Sequence, residues 1–568
     1  MKKLVLLILI FSLLLSMCAC TLPGTGIQQD AIDESTEGKD LTMADAADSV
    51  FSLNMNTKYS FNPLVATNHS NQLICALVYE NMVELDNSFE VIPNVITEWS
   101  YNDSATSWTL TIDTSRTFHD GTNITSKDIR YSIERAVVSD RYSGRFRSYM
   151  GSATDGDDKL VVTVGVGDTQ FIKLLNIPVI KYGTSEDKYP IGSGPYYFVI
   201  EEETQVNENT GKEKVVQTSN MLKAYEGHKD YKHLPLDTVY LKEYADAESI
   251  ISAFEDSYID VVVNDPTSYT NLGYASTNEI HTFATTNMHY LAFNRDANVS
   301  MLPSFRYAMQ FAFDRAYLET LLKNNAVASA VPVYPTVDYF PSELNSSLAF
   351  NLDKCLAILQ NAGFQDTNED GKLEYLGAPF VLKVILCSDS SAKAGVVNRF
   401  INDMASIGLQ VQAQELTWTD YYNALTDYEA LTQEQKEDED FEEIEFDMYY
   451  AEVKLRNNFD ITELIQERTD SNKYSNVNYT HSTGNGYETL LYNYLTSSNT
   501  SRAANYSAFA EYVLTSDPYF VVIGFEKQQL ITHRAAIRGV NPNAGNPLYD
   551  FTNWDIQFKP TSEEAEND

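Results

Sequence analysis

Basic residues are scarce in this chain. Its 568 residues hold 40 lysines and arginines against 80 aspartates and glutamates, a formal net charge of -40. Such a surface repels phosphate backbones and anionic headgroups, which argues against nucleic-acid binding and against peripheral membrane binding. Cysteine is scarcer still, with five in all. Two, Cys18 and Cys20, lie near the start, which leaves Cys75, Cys355 and Cys387 in the body of the chain. An odd number at no metal-binding spacing fits neither a disulfide framework nor a zinc cluster. Each of the three sits in an apolar stretch and reads as a buried free thiol. Catalytic signatures are missing as well: there is no HExxH, no GxSxG and no CxxC, and the eight histidines form no array with serine or cysteine. Scattered carboxylates always permit a glycosidase, but the separation that chemistry needs is not readable from order along the chain. Beyond the first residues no apolar run approaches the ~18 needed to span a bilayer.

What is present begins at residue 1. Met1, Lys2 and Lys3 open on a basic note, Leu4 to Leu15 is largely apolar, and Ser16, Met17, Cys18, Ala19 and Cys20 follow. Charge, apolar core and small residues in that order read as an export signal, too short to stay as a spanning helix. Ala19 before Cys20 resembles the lipobox of bacterial lipoproteins, in which the cysteine is acylated and becomes the new N-terminus. Residues 21–48 are rich in Gly, Thr, Asp and Ser without apolar period, as in a flexible tether. The body has an ordinary globular composition, 43% hydrophobic and 12% aromatic. At roughly 100–200 residues per domain its length allows three or four domains.

Strand-like and helix-like patterns alternate along the body. Trp108 to Ile112 alternates as a half-buried strand does. Ser126 to Val137 has a helical stripe of Ile129, Ile133, Ala136 and Val137 behind a Thr125 or Ser126 cap. Strands are expected over Leu160–Val166, Tyr258–Val263, Phe380–Leu386, from Leu409, and over Tyr519–Gly524. Helices are expected from Phe305 past Asp314, over Leu352–Ala362 with Gly363 as the stop, over Val396–Ile407 and over Ser501–Leu514. The β-α-β order from Phe380 to Ala413 points to an α/β class with helix-covered sheets. Thr426 to Glu445, with its run Glu437-Asp438-Glu439-Asp440, reads as a solvated acidic helix and loop.

Several segments taken in order carry a resemblance. Phe61-Asn62-Pro63-Leu64 and Leu77-Val78-Tyr79-Glu80 come first. Pro93, Trp99, the strand at Trp108, Phe118-His119-Asp120-Gly121 and the capped helix at Ser126 follow. Then come Gly192-Ser193-Gly194-Pro195-Tyr196, Tyr290-Leu291-Ala292-Phe293-Asn294, Phe305-Arg306-Tyr307-Ala308, Asp314-Arg315, and the Gly363 to Leu386 region. Together they resemble the family 5 extracellular solute-binding proteins, the oligopeptide and dipeptide type that feeds ABC importers. The resemblance implies a type II periplasmic-binding-protein fold, with two hinged α/β lobes around a cleft and a subdomain inserted in the first. Lobe I is expected at 49–65, 190–287 and 516–560, the insertion at 66–189, lobe II at 288–515, and a polar tail at 561–568.

The implied function is a non-enzymatic receptor, exported and lipid-anchored through Cys20 to the outer face of the cytoplasmic membrane of a Gram-positive-type bacterium. It is expected to be a monomer that binds a peptide or other small solute and docks on the permease subunits of an importer, without cofactor or metal. An extracytoplasmic hydrolase and an adhesive surface lipoprotein are the alternatives from other classes; opine, sugar, nickel-chelate and peptide-signal receptors are those within the binding class. In the family an Ala-Asp-Tyr-x-x-Pro segment supplies the aspartate that holds a peptide's α-amino group. The matching stretch runs from Tyr450 to Phe459, with Glu452 in the place of that aspartate, no matching tyrosine or proline, and Lys454 and Arg456 added. Glu452 is therefore the candidate amine ligand, with pairing to Lys454 or Arg456 as the competing reading. Trp418 and Tyr421 are the candidate aromatic contacts of the cleft. Away from these, His119 and His289 have no partner at ligand spacing. The Gly192 turn lacks the lysine of a phosphate loop. Asp366, Asn368 and Asp370 start a calcium-like loop whose twelfth position is Gly377 rather than glutamate, so an acidic turn is expected.

Overall fold

The computed structural model describes residues 50–206, 213–264, 277–297, 299–322, 325–426, 444–469, 471–472, 476–484 and 486–557. The export signal, Cys20, the tether, the acidic run at 437–440 and the tail lie outside these residues. Among those described, no helix is long and apolar enough to cross a membrane.

The chain enters through strand β1 (Ser52–Met55) and helix α1 (His69–Val78). A four-stranded antiparallel sheet follows, made of β2 (Ile96–Tyr101), β3 (Ser107–Ile112), β4 (Tyr149–Thr154) and β5 (Lys159–Val164) in the order β2-β3-β5-β4, with α2 (Ser126–Val137) packed on it. Then come β6 (Tyr196–Phe198), β7 (Met221–Ala224), β8 (Thr238–Glu243), β9 (Val261–Asn264), β10 (Glu279–Phe293) and β11 (Ala326–Ala328). The last third contributes β12 (Leu382–Cys387), α3 (Ser391–Ser406), β13 (Val411–Leu416), α4 (Trp418–Leu425), β14 (Met448–Lys454) and β15 (Phe520–Thr532). The large mixed sheet has the order β13-β12-β14-β10-β15-β9-β1-β8-β7-β6, with β11 on the side of β15.

Much of this follows from local chemistry. Helix α2 starts where expected because the Asp128 carboxylate accepts hydrogen bonds from the Thr125 N–H and hydroxyl, at 2.9 and 2.7 Å. Its stripe Ile129, Ile133 and Ala136 is buried. Helix Leu352–Asn361 stops before Gly363, whose φ of +99° suits the residue without a Cβ. The expected β-α-β unit is β12-α3-β13, with its strands parallel from Leu382↔Val411 to Cys387↔Leu416. Cys75, Cys355 and Cys387 are free and buried.

One expectation is corrected. The helix from Phe305 does not run past Asp314. It spans Pro303–Met309, and a separate helix covers Arg315–Leu321. The cause is Arg315, whose guanidinium donates to the Gln310 carbonyl as well as to those of Val522 and Leu348. A continuous helix would have committed that Gln310 carbonyl to a backbone N–H.

Two hydrophobic cores lie on either side of a seam. One contains Phe51, Trp108, Phe283, Leu530 and Trp554. The other contains Ala284, Met288, Tyr450, Phe509 and Phe525. The strands that pass from one core to the other are β10 and β15, of 15 and 13 residues, antiparallel from Glu279↔Thr532 to Ala292↔Phe520. Their register shifts between Ala284 and Met288, at the seam itself.

Candidate binding cleft

The seam opens into a cavity of about 160 Å³. Its walls are Gln72, Cys75 and Ala76 of α1, then Tyr79, the Arg141–Arg145 turn, Asn176 and Asn546; its floor is Thr285, Thr286, Asn287, Lys454 and Gln528 of the central strands. The lobes touch along one flank, where Arg147 pairs with Glu463 at 3.1 Å and Asn458 donates to Asp168 at 2.8 Å. Burial pushes the Asp168 carboxyl up to about 6. A larger cavity of about 570 Å³ lies beside β1 and β9, lined by Asn54, Ser70, Ile250 and Val261 to Asn264. Among the described residues it touches neither the crossing strands nor the second core, so the cleft is the better candidate.

The cleft wall facing the first core is held by two of the motifs. His119 accepts no charge there: burial lowers its pKa to about 4, so the ring is neutral. Its Nε2 donates to the Gly194 carbonyl at 3.0 Å, and the His119 backbone N–H donates to the Gly192 carbonyl at 2.9 Å. The Phe-His-Asp-Gly turn thus docks on the Gly-Ser-Gly-Pro-Tyr turn, which in turn bonds the Val78 carbonyl at the end of α1 through the Gly194 N–H, 2.9 Å. Gly121 has a φ of +81°, as its turn position requires. The partner of the His119 ring is 75 residues away in the chain.

One end of the floor is cationic. Arg141 and Arg145 both stack on Tyr142, at 4.9 and 5.0 Å from its ring centre. Arg141 donates to the Pro63 carbonyl at 2.7 Å and Arg145 to that of Asn176 at 2.9 Å. Lys454 faces them from the end of β14. Desolvation first, then the nearby Arg145 and Arg141, pushes its pKa down to about 8 against the pull of Glu526. The residue is exposed to solvent, so the downward direction is the firm part of this shift. Three cations converge here in a chain with twice as many acids as bases.

Carboxylates lie further along the central strands, beyond the cavity's lining. Successive side chains alternate across a strand, so Tyr450, Glu452 and Lys454 share one face of β14. The Cα atoms of Glu452 and Lys454 are about 7 Å apart. Glu452 does not pair with Lys454 or Arg456. Its carboxylate lies 3.6 Å from the Lys393 ammonium and 3.9 Å from His289 Nε2, while Arg456 pairs with Asp460 and Glu463. His289 stands in the middle of β10 and not before it, opposite Glu452 in the register. Glu526 of β15, 1% exposed, reaches the same nitrogen at 3.6 Å.

The remaining predicted residues sit on the second core's side. Tyr421 is buried, and its hydroxyl donates to the Tyr450 carbonyl at 2.7 Å, so it supports the strand that carries Glu452. Trp418 opens α4 directly after β13, is 64% exposed and stacks on Tyr422. Neither lines the cavity. At the calcium-like turn Glu374 accepts from Thr367 N and Oγ1, and Asp366 from the Asp370 and Gly371 amides. These carboxylates are engaged with their own backbone, as an acidic turn requires.

A charged cleft between two cores joined by continuous strands defines a hinged binding protein. Residues 90–454 match the family described as bacterial extracellular solute-binding proteins, family 5 Middle, and the chain belongs to that family. It is an extracytoplasmic solute receptor of an ABC importer. The oligopeptide-binding protein AppA of Bacillus subtilis is 20% identical over 433 residues, 72% of this chain and 75% of its own. Its structure with a nonapeptide aligns with a TM-score of 0.57 at 17% identity, covering 89% of this chain and 98% of that one. The substrate-binding protein CtaP of Listeria monocytogenes aligns at 0.66 with 16% identity, covering 90% and 100% of the two chains. NikZ of Campylobacter jejuni, solved with Ni(L-His), aligns at 0.61 with 16% identity over 90% and 99%. These alignments establish the type II fold with its two lobes.

Proposed function

We propose that this receptor captures a short zwitterionic solute, a peptide with free ends, and acts by binding alone. The observation behind this is opposite charge along the central strands: Lys454 with Arg141 and Arg145 line the cavity, and the exposed Glu452 lies two residues earlier on the same face of β14, beyond the present cavity's lining. A solute ammonium finds the exposed Glu452 carboxylate and its carboxylate finds the cations, in a site where closure excludes water and strengthens both. The relatives named for oligopeptides add support at the level of the family. We place the hinge at Thr285–Asn287 of β10 and the facing stretch of β15, between lobe I (49–65, 190–287 and 516–560, with 66–189 inserted) and lobe II (288–515). The present cavity is smaller than a peptide, so entry requires the lobes to part, and the closed form persists in proportion to the affinity gained on closing. Acylation at Cys20 would tether the receptor near its permease.

Native mass spectrometry of protein purified without denaturation tests this reading. The expected result is a bound mass in the range of short peptides that disappears in Glu452→Gln, with thermal stabilisation of the emptied wild type by di- to octapeptides. Stabilisation by uncharged oligosaccharides alone would reject it.

A further inference from the structure

Three acceptor atoms converge on one point among the central strands, beyond the cavity's lining. His289 stands on β10, and the strands on either side of it bring Glu452 and Glu526. Its Nε2 lies 3.9 Å from Glu452 Oε2 and 3.6 Å from Glu526 Oε2, and all three atoms lie within 4.8 Å of one another. The imidazole is fully buried, and its Nε2 has no hydrogen-bond partner among the described residues. The opposite nitrogen, Nδ1, meets the Tyr450 hydroxyl at 3.0 Å, which fixes the ring with Nε2 aimed between the carboxylates. These separations are too long for direct hydrogen bonds. They are close to those around an ion with bonds of about 2.0–2.2 Å, whose tetrahedral donors stand about 3.4 Å apart.

We propose that His289, Glu452 and Glu526 form a site for a divalent transition-metal ion of the zinc type. One imidazole with two carboxylates suits such an ion and not calcium or magnesium, which prefer oxygen alone. Tyr450 acts as the outer partner that orients the imidazole. Lys393, held by both oxygens of Asp389 at 2.9 Å, lies 3.6 Å from Glu452 Oε1 and leaves Oε2 turned toward His289. Glu452 is 42% exposed, which leaves the site open to solvent on its side. The ion binds without solute, and in this the site is independent of the peptide reading. Where both hold, ion and solute ammonium compete for Glu452.

The test uses full-length protein stripped with EDTA, desalted and titrated with Co²⁺ in the absence of peptide. Visible ligand-field absorption should saturate near about one Co²⁺ per chain and be displaced by Zn²⁺. His289→Ala and Glu452→Gln should each weaken binding by about 100-fold or more, and Tyr450→Phe by about 10-fold, as expected of an outer partner. If His289→Ala fails to fold, the half-exposed Glu452→Gln decides alone. Absence of a saturable signal, or a signal unchanged in Glu452→Gln, overturns the site. Peptide titrations are run separately, so this result leaves the solute reading untouched.

Discussion

Lys454→Met is expected to weaken binding of a carboxylate-bearing solute by roughly 30- to 100-fold, the value of a charge-assisted contact in a partly wet cleft. The fold should not suffer, because the ammonium receives no hydrogen-bonding carboxylate in return for its place among the walls, and its pKa falls to about 8. Thermal melting of the empty protein should therefore be unchanged or slightly higher while affinity collapses, a separation of stability from function. The pH dependence carries the same signature. In the wild type, affinity for an anionic solute should decline as pH rises through about 8, where Lys454 loses its proton. Stability moves the other way. Between about 8 and the free value of 10.5 the unfolded chain holds a proton that the folded one lacks, so this group's contribution to stability rises with pH across that window. Both trends should be absent in Lys454→Met. Calorimetric titration and melting curves from pH 6 to 10 check them together.

Gly194→Ala should strike the fold. A Cβ at Gly194 would stand 2.5 Å from the Leu77 carbonyl oxygen and 2.6 Å from the Val78 carbonyl carbon. These are backbone atoms at the end of α1, and no side chain can rotate away. The helix would have to shift, at a cost of about 3 kcal/mol or more, the upper range of overpacking. The helix also supplies Gln72, Cys75 and Ala76 to the cleft, so affinity should fall with stability. Gly144, where an added Cβ meets nothing within 4 Å, is the control and should tolerate alanine. A melting temperature for Gly194→Ala within a degree of that of Gly144→Ala would show that the contact between turn and helix is not the reason for the glycine.

The glycine shows how far a sequence can be read here. That a tight turn occupies residues 192–196 follows from its composition alone, as the helix at 126–137 follows from its cap and stripe. These depend on neighbours a few residues away. The reason for Gly194 depends on α1, more than 100 residues earlier, and no local pattern states it. The same limit explains the cleft. Glu452 was legible through its match to a family segment, but its neighbours were not. His289 and Glu526 arrive on strands 163 and 74 residues from it in the chain, so spacing along the sequence could not connect them. Arg141 and Arg145 belong to no motif. The available signal was weak: two arginines four residues apart around Tyr142 in a chain short of bases. The break at Gln310 was hidden for a related reason, since the group that ends the helix is the side chain of Arg315 competing for a carbonyl. Trp418 and Tyr421 were readable as aromatics near the cleft, whereas the commitment of the Tyr421 hydroxyl to Tyr450 required the strand to be in place.

The central claim is that one floor binds a solute by both of its charged ends. The most direct measurement is calorimetric titration of the emptied receptor with one peptide in four forms: free, N-acetylated, C-amidated and capped at both ends. The account predicts that each cap alone weakens binding by at least about 10-fold and that the doubly capped form binds least of all. Equal affinity for the free and doubly capped peptides would contradict it.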